Sequence, residues 1–139
     1  MLRFSLEKAF DTINHSILLY KLHNLGIKGI VHDWFTDCLH NRSQFVCVSD
    51  INSVVSCITC GVPQHSVSGP LLFLLYVNDI VNTVPDFPIK LYADDTNLFV
   101  DSKSVENFIK NTRSCITMLN KWFVANRLSF SIDKTCLGV

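Results

Sequence analysis

Apolar and polar positions along the chain switch between two periods, and each switch marks an element. Residues 1–6 form a short, mostly apolar stretch that reads as a strand. Ile17, Leu18, Leu22 and Leu25 then recur at helical spacing, with Asn14 placed to cap the helix and Gly26 to end it. A second helix carries Ile30, Trp34, Phe35, Cys38 and Leu39 on one stripe. Two β-rich runs follow, 44–49 and 54–60, and the turn-like residues 50–53 between them make a hairpin. Residues 61–70 read as a loop, and Pro70 suits the first turn of a helix. Residues 71–81 are apolar nearly all round, which predicts a central helix. Residues 89–100 alternate on both sides of Asp94-Asp95, a tight hairpin with the acidic pair at its tip. Ser102 or Ser104 caps a long helix whose stripe is Val105, Phe108, Ile109, Thr112, Ile116, Leu119 and Phe123. Leu128, Phe130 and Ile132 alternate as a strand, and residues 136–139 begin another. This order predicts an α+β fold of the split βαβ, ferredoxin-like kind: an antiparallel sheet with helices on one face and a small helical and hairpin insert.

Composition sharpens that picture in two ways. The 139 residues fit one domain, and 48% are apolar while 17% are charged, against about 25% charged in an average soluble domain. Disorder is excluded over most of the length, and so greasy a surface points to a fragment or subunit that something else covers. Twelve Lys and Arg balance twelve Asp and Glu, so net charge neither supports nor excludes a nucleic-acid partner. The longest apolar run, Leu71 to Val77, is seven residues, against roughly 20 for a bilayer span. The first residues lack the apolar core of a signal peptide. The expected compartment is therefore intracellular and reducing, nuclear or cytoplasmic, with no membrane partner and the six cysteines as free thiols. Cys57 and Cys60 form a CxxC, but no second close pair follows, so no zinc is expected. On a strand an offset of three puts the two thiols on opposite faces, which reads as buried structural cysteines.

The chemistry concentrates in Tyr92-Ala93-Asp94-Asp95. Two carboxylates about 3 Å apart resist ionising together. A divalent cation removes that conflict, and Mg²⁺ takes carboxylate oxygens together with substrate phosphates. The competing reading of Asp-Asp alone is a polar turn.

Four motifs in order give the sequence a family resemblance. Leu6-Glu7-Lys8-Ala9-Phe10-Asp11-Thr12-Ile13-Asn14-His15 looks like a first polymerase-palm motif ending in A-F-D-x-[VI]-[ND]-H. Gly61-Val62-Pro63-Gln64 through Gly69-Pro70-Leu71-Leu72-Phe73 looks like the second, Tyr92-Ala93-Asp94-Asp95 the third, and Leu128 to Thr135, with its Lys-Thr pair, the fourth. Together they resemble the reverse transcriptase palm of non-long-terminal-repeat retrotransposons over nearly the whole chain. The resemblance implies an RNA-directed DNA polymerase acting on an RNA template, a DNA primer and deoxynucleotide triphosphates. It also implies two Mg²⁺ ions that activate the attacking 3′-oxygen and stabilise the leaving one. Asp94 and Asp95 match two metal ligands. Phe10 matches the bulky residue that shields the sugar 2′ position, its alternative being an ordinary core Phe. Gln64, in the loop with Gly61 and Pro63, matches a residue contacting the templating pair, its alternative a polar loop group. Lys134 matches a lysine facing the leaving pyrophosphate, its alternative a solvated surface lysine.

Three departures set this chain apart. The family's third metal ligand lies six residues before the Asp of A-F-D, and counting back from Asp11 gives Ser5. A neutral hydroxyl is a poor Mg²⁺ ligand beside a carboxylate, so metal binding is expected to be weak or absent and this copy inactive. Glu7 shares a strand face with Ser5 if the strand continues, which gives it a partial reach into the site. His65 stands where the family has a glycine that permits positive φ and close approach of nucleic-acid backbone, and Ser68 where it usually has Leu. Finally, there is no room for the fingers upstream or the thumb downstream, so 1–139 reads as a partial reverse transcriptase domain, essentially a palm. The alternatives are a non-catalytic relic palm with residual nucleic-acid or protein binding, and an unrelated cysteine-stabilised interaction module, which the four ordered motifs disfavour.

Overall fold

In the computed structural model, which describes residues 1–63, 67–92 and 95–137, the elements run β1 (Leu2–Leu6), α1 (His15–Asn24), α2 (Ile30–Leu39), β2 (Ser43–Gln44), β3 (Cys47–Val48), β4 (Ile51–Asn52), β5 (Ser56–Cys57), α3 (Ser68–Val77), a 3-10 helix (Asn78–Thr83), β6 (Ile89–Tyr92), β7 (Asp95–Leu98), α4 (Val105–Ala125) and β8 (Phe130–Leu137). The fold is α+β. The chain divides into two units, one of Met1–Ala9 with Tyr76 onward, the other Phe10–Leu75, the division falling within α3.

The first unit is built on a four-stranded sheet among the described residues, in the order β6-β7-β1-β8 with every neighbouring pair antiparallel. Alternation in β1 sends Leu2, Phe4 and Leu6 to one face, where all three are buried. α4 covers that face: Phe123 meets Phe4 edge-on, with ring centroids 5.5 Å apart. Ser104 caps α4 by accepting a hydrogen bond from the Asn107 N–H at 3.3 Å. The buried stripe of α4 is Thr112, Cys115, Leu119 and Phe123. Leu119 and Phe123 thus sit where the periodicity puts them. Val105, however, is 74% exposed, Ile109 and Ile116 are also exposed, and Phe108 is half-buried. The stripe passes through Cys115, one residue round the helix from Ile116. A 21-residue helix spans about 31 Å, while a five-residue strand such as β1 spans about 17 Å, so its first turn has little sheet to bury against. Burial raises the Cys115 thiol above its ordinary value, the Asp86 carboxylate raises it further, and a backbone hydrogen bond offsets part of the rise. Cys115 therefore behaves as a small protonated hydrophobe.

At the end of α4, Tyr76 Oη donates to the Asn126 carbonyl at 2.6 Å, and both residues are buried. Tyr76→Phe should cost about 1–3 kcal/mol, because it strips a buried acceptor of its donor without opening a void. Chemical denaturation reads this directly, and an unchanged midpoint would mean that the carbonyl is otherwise satisfied.

In the second unit Asn14 caps α1, its Oδ1 accepting from the Ile17 N–H at 3.1 Å, and Gly26 follows the helix at φ +92°. Ile13, Leu18, Leu22, Leu39, Val62, Leu72 and Phe73 are buried. The apolar stripe expected on α2 is not a buried one: Leu39 is buried, but Ile30 is 87% exposed and Trp34 and Cys38 are exposed too. The hairpin forms as two short ladders, β2 with β5 and β3 with β4. It turns at Ser49 and Asp50, both at positive φ, rather than over 50–53. Such short ladders bury little, and the expectation of buried Cys57 and Cys60 is overturned: both are exposed, as are Cys38, Cys47 and Cys136, and all six cysteines are free thiols. Apolar residues 71–81 do not make one helix. α3 starts earlier, at Ser68, and gives way to the 3-10 helix at Asn78, while Leu71 and Leu74 are exposed. Cys136 does not open a further strand; it lies inside β8, whose ladder with β1 is interrupted by an irregularity between Arg3 and Ser5. Among the described residues no helix is long and apolar enough to cross a membrane.

Candidate active site

The first and third motifs meet on the sheet. In the β1–β7 ladder Ser5 stands directly opposite Asp95, and Arg3 opposite Asn97. On its other side Ser5 pairs with Ser131 of β8. The first strand and the acidic hairpin are thus sheet neighbours, as the element order predicts. Ser5 is 4% exposed, on the face opposite to Leu2, Phe4 and Leu6. Asp94 lies outside the described residues, as do Gln64 and His65. Lys134 lies within β8.

Arg3 is the residue that sequence reasoning missed. Its Nη2 donates to Asp95 Oδ2 at 2.6 Å, an ion pair between residues 92 positions apart in the chain. Arg3 and Asp95 are diagonal neighbours across the ladder, a separation of about 7–8 Å that a long side chain spans. The signal was present in the sequence: Arg3 is two residues from Ser5 and so shares its strand face. With side chains 54% and 29% exposed, the pair adds only about 0–1 kcal/mol to stability. Its effect is chemical, since a carboxylate oxygen at the site is already committed to a cation.

Glu7 does not reach this face as a continuation of the strand. β1 ends at Leu6, Glu7 is exposed, its N–H donates to the Ser129 carbonyl at 2.9 Å, and Lys8 turns the chain at φ +46°. Among the described residues no group of three or more His, Cys, Asp or Glu side chains could hold a metal ion. At the positions where the resemblance expects metal ligands, the described residues offer a hydroxyl at Ser5 and an ion-paired carboxylate at Asp95. That set does not fit two divalent cations, whose mutual repulsion needs more ligand charge than it supplies.

The second unit holds the rest of the first motif against the start of the second. The Gly61 N–H donates to the Ile13 carbonyl at 2.8 Å, and the Val62 N–H to the Phe10 carbonyl at 2.8 Å. His15 is buried, and its Nε2 lies 2.7 Å from the Gly61 carbonyl; a carbonyl only accepts, so Nε2 carries the proton. His15 was legible as part of the motif but not as the strut it is. Gly61 sits at φ +87°, and a Cβ there would lie 3.0 Å from the Asp11 carbonyl oxygen. The Phe10 ring packs on Phe73 at 4.9 Å and stays half-buried, and Pro63 is half-buried beside it in sequence. A groove of about 590 Å³ runs along this loop, with Asp11, Arg42, Gln44, Thr59 and Pro63 on its walls.

The chain is similar to known proteins along its length. The family described as reverse transcriptase (RNA-dependent DNA polymerase) matches residues 1–139. The RNA-directed DNA polymerase from mobile element jockey of Drosophila melanogaster is 30% identical over 124 residues, covering 84% of this chain and 13% of that protein. Its namesake from Drosophila funebris is 26% identical over 141 residues, covering 96% of this chain and 15% of that protein. The probable RNA-directed DNA polymerase from transposon BS of Drosophila melanogaster is 26% identical over 127 residues, covering 84% and 14%. The chain therefore spans only 13–15% of the length of these curated relatives. By the match along its whole length, the chain belongs to the reverse transcriptase family.

Proposed function

We propose that the chain is the palm portion of a mobile-element reverse transcriptase, and that this copy has lost nucleotidyl transfer. The sheet order β6-β7-β1-β8, with α4 carrying the chain from β7 to β8, supports a split βαβ palm. The observation that carries the loss of activity is the register of Ser5 opposite Asp95. A neutral hydroxyl stands at the position that the family resemblance gives to a metal-binding carboxylate, beside a carboxylate already paired with Arg3. An RNA template, a DNA primer and deoxynucleotides are the partners that such a palm would meet. In that reading the G-V-P loop, with Gly61 and Val62 pinned by Ile13, Phe10 and His15, offers the groove beside it to the template, and Gln64 is the residue that the resemblance assigns to the templating pair. Phe10, held by Phe73, keeps a partly open ring for the sugar, and Lys134, within β8, is the residue that the resemblance assigns to the pyrophosphate.

The test places residues 1–139 between the fingers and thumb of an active relative and measures primer extension on an RNA template. Changes outside the metal's own ligands already cost about 10–100-fold in affinity or activity, so a lost ligand should leave extension at background. Robust extension by the chimera with Ser5 in place would overturn the reading, because a water or another side chain would then be replacing the carboxylate.

A further inference from the structure

The mismatch between this site and a divalent metal has a second component besides Ser5. We propose that Arg3 is the resident cation of the site, a guanidinium that neutralises Asp95 in place of a metal, so that restoring the carboxylate at position 5 alone does not restore a metal site. The inference rests on the reading of position 5 and Asp95 as metal-ligand positions.

Arg3 and Ser5 alternate onto one face of β1, and the ladder sets Ser5 against Asp95 with Arg3 on the diagonal. Arg3 Nη2 and Asp95 Oδ2 are 2.6 Å apart, the short range of a charge-assisted hydrogen bond. A guanidinium presents its N–H donors in a planar fork that matches a carboxylate, which suits Arg3 to hold Asp95. A dication approaching Asp95 meets both a committed oxygen and a like charge beside it. Arg3 also alters what Ser5→Asp would do. The new carboxylate would face Asp95 directly across the ladder, a repulsive arrangement for like charges. Arg3, on the same face, would offset part of the added charge while keeping its bond to Asp95. The hydroxyl at position 5 and Arg3 therefore act in the same direction: one withholds a ligand charge and the other occupies the charge that remains at Asp95.

The experiment compares Mn²⁺ binding, followed by the electron paramagnetic resonance signal of free Mn²⁺, in four versions of the 139-residue chain: unchanged, Ser5→Asp, Arg3→Gln, and the two substitutions together. The double variant should bind Mn²⁺ at least about 10-fold more tightly than Ser5→Asp, the scale of effects from groups beside a metal's ligands. Its melting temperature should rise on adding Mn²⁺ and fall in chelator, while that of the unchanged chain stays fixed. Should Arg3→Gln fold poorly, Arg3→Met keeps the length of the stem, lacks the charge and carries the same expectation. Equal, tight binding by Ser5→Asp and the double variant would overturn the role of Arg3 and leave the ligand positions standing. No Mn²⁺ binding by any folded variant would overturn the ligand positions themselves, and the role of Arg3 with them.

Discussion

Truncating Phe123 to alanine is expected to lower the unfolding free energy by about 3–5 kcal/mol. The ring is 2% exposed and stands edge-on against Phe4, at an interplanar angle of 87°. This contact joins α4 to the sheet, so its loss removes both the transfer energy of the ring and the aromatic pair, worth about 0.5–1.5 kcal/mol beyond area alone. A small void of about 50 Å³ already lies there, bordered by Leu2, Phe4, Ile116, Leu119 and Phe123. The new space would merge with it rather than close, which favours the upper part of the range, since the cost grows with residual cavity volume. Val105→Ala on the same helix, at an exposed position, should stay within about 0.5 kcal/mol. Urea or guanidinium unfolding of the two variants gives the contrast. Similar losses for both would mean that α4 does not bury the face described.

Gly61→Ala is expected to cost about 2–5 kcal/mol, from two sources that act together. A left-handed conformation costs a side-chain-bearing residue about 1–2 kcal/mol. Overpacking typically adds about 1–3 kcal/mol. Here the new Cβ meets three backbone atoms of Asp11, at 3.0, 3.1 and 3.2 Å, none of which can rotate away. Relief requires the loop to move, which stretches the Gly61–Ile13 and Val62–Phe10 hydrogen bonds and the contact from His15. The first and second motifs are held in register by those bonds, so the substitution should also raise proteolytic cleavage within residues 10–63. Unchanged stability and unchanged cleavage would show that the loop has another conformation available at little cost.

What the sequence disclosed follows the range over which each signal acts. The caps at Asn14 and Ser104 were legible because a cap is settled within three residues. The acidic hairpin and its adjacency to the first strand followed from the order of elements, and Ser5 stood out by counting within one motif. The stripe of α4 was misjudged by one position because Ile116 is the more apolar residue, whereas packing chose Cys115. α2 showed that an apolar stripe marks a helix without saying that the stripe is covered. The exposed cysteines followed from ladders too short to bury anything, a length that β-propensity does not register. Arg3 went unread for a different reason. Its partner is 92 residues away, and only the β1–β7 register turns an unremarkable surface arginine into the counter-ion of Asp95.

The position of β1 at the centre of the sheet also bears on how the chain folds as it is made. Its partners are the late strands β7 and β8, with Leu2 set against Leu98 on one side and Leu137 on the other. At a synthesis rate of about 5–20 residues per second, Leu2 precedes Leu137 by roughly 7–27 s. Throughout that interval the chain carries an apolar strand, Leu2, Phe4 and Leu6, with one or both of its hydrogen-bonding edges open. Such distant pairing makes a slow folder. A ribosome-associated chaperone that engages short apolar strands would find a target in β1, and the strand would leave it only when β8 emerges to complete the sheet.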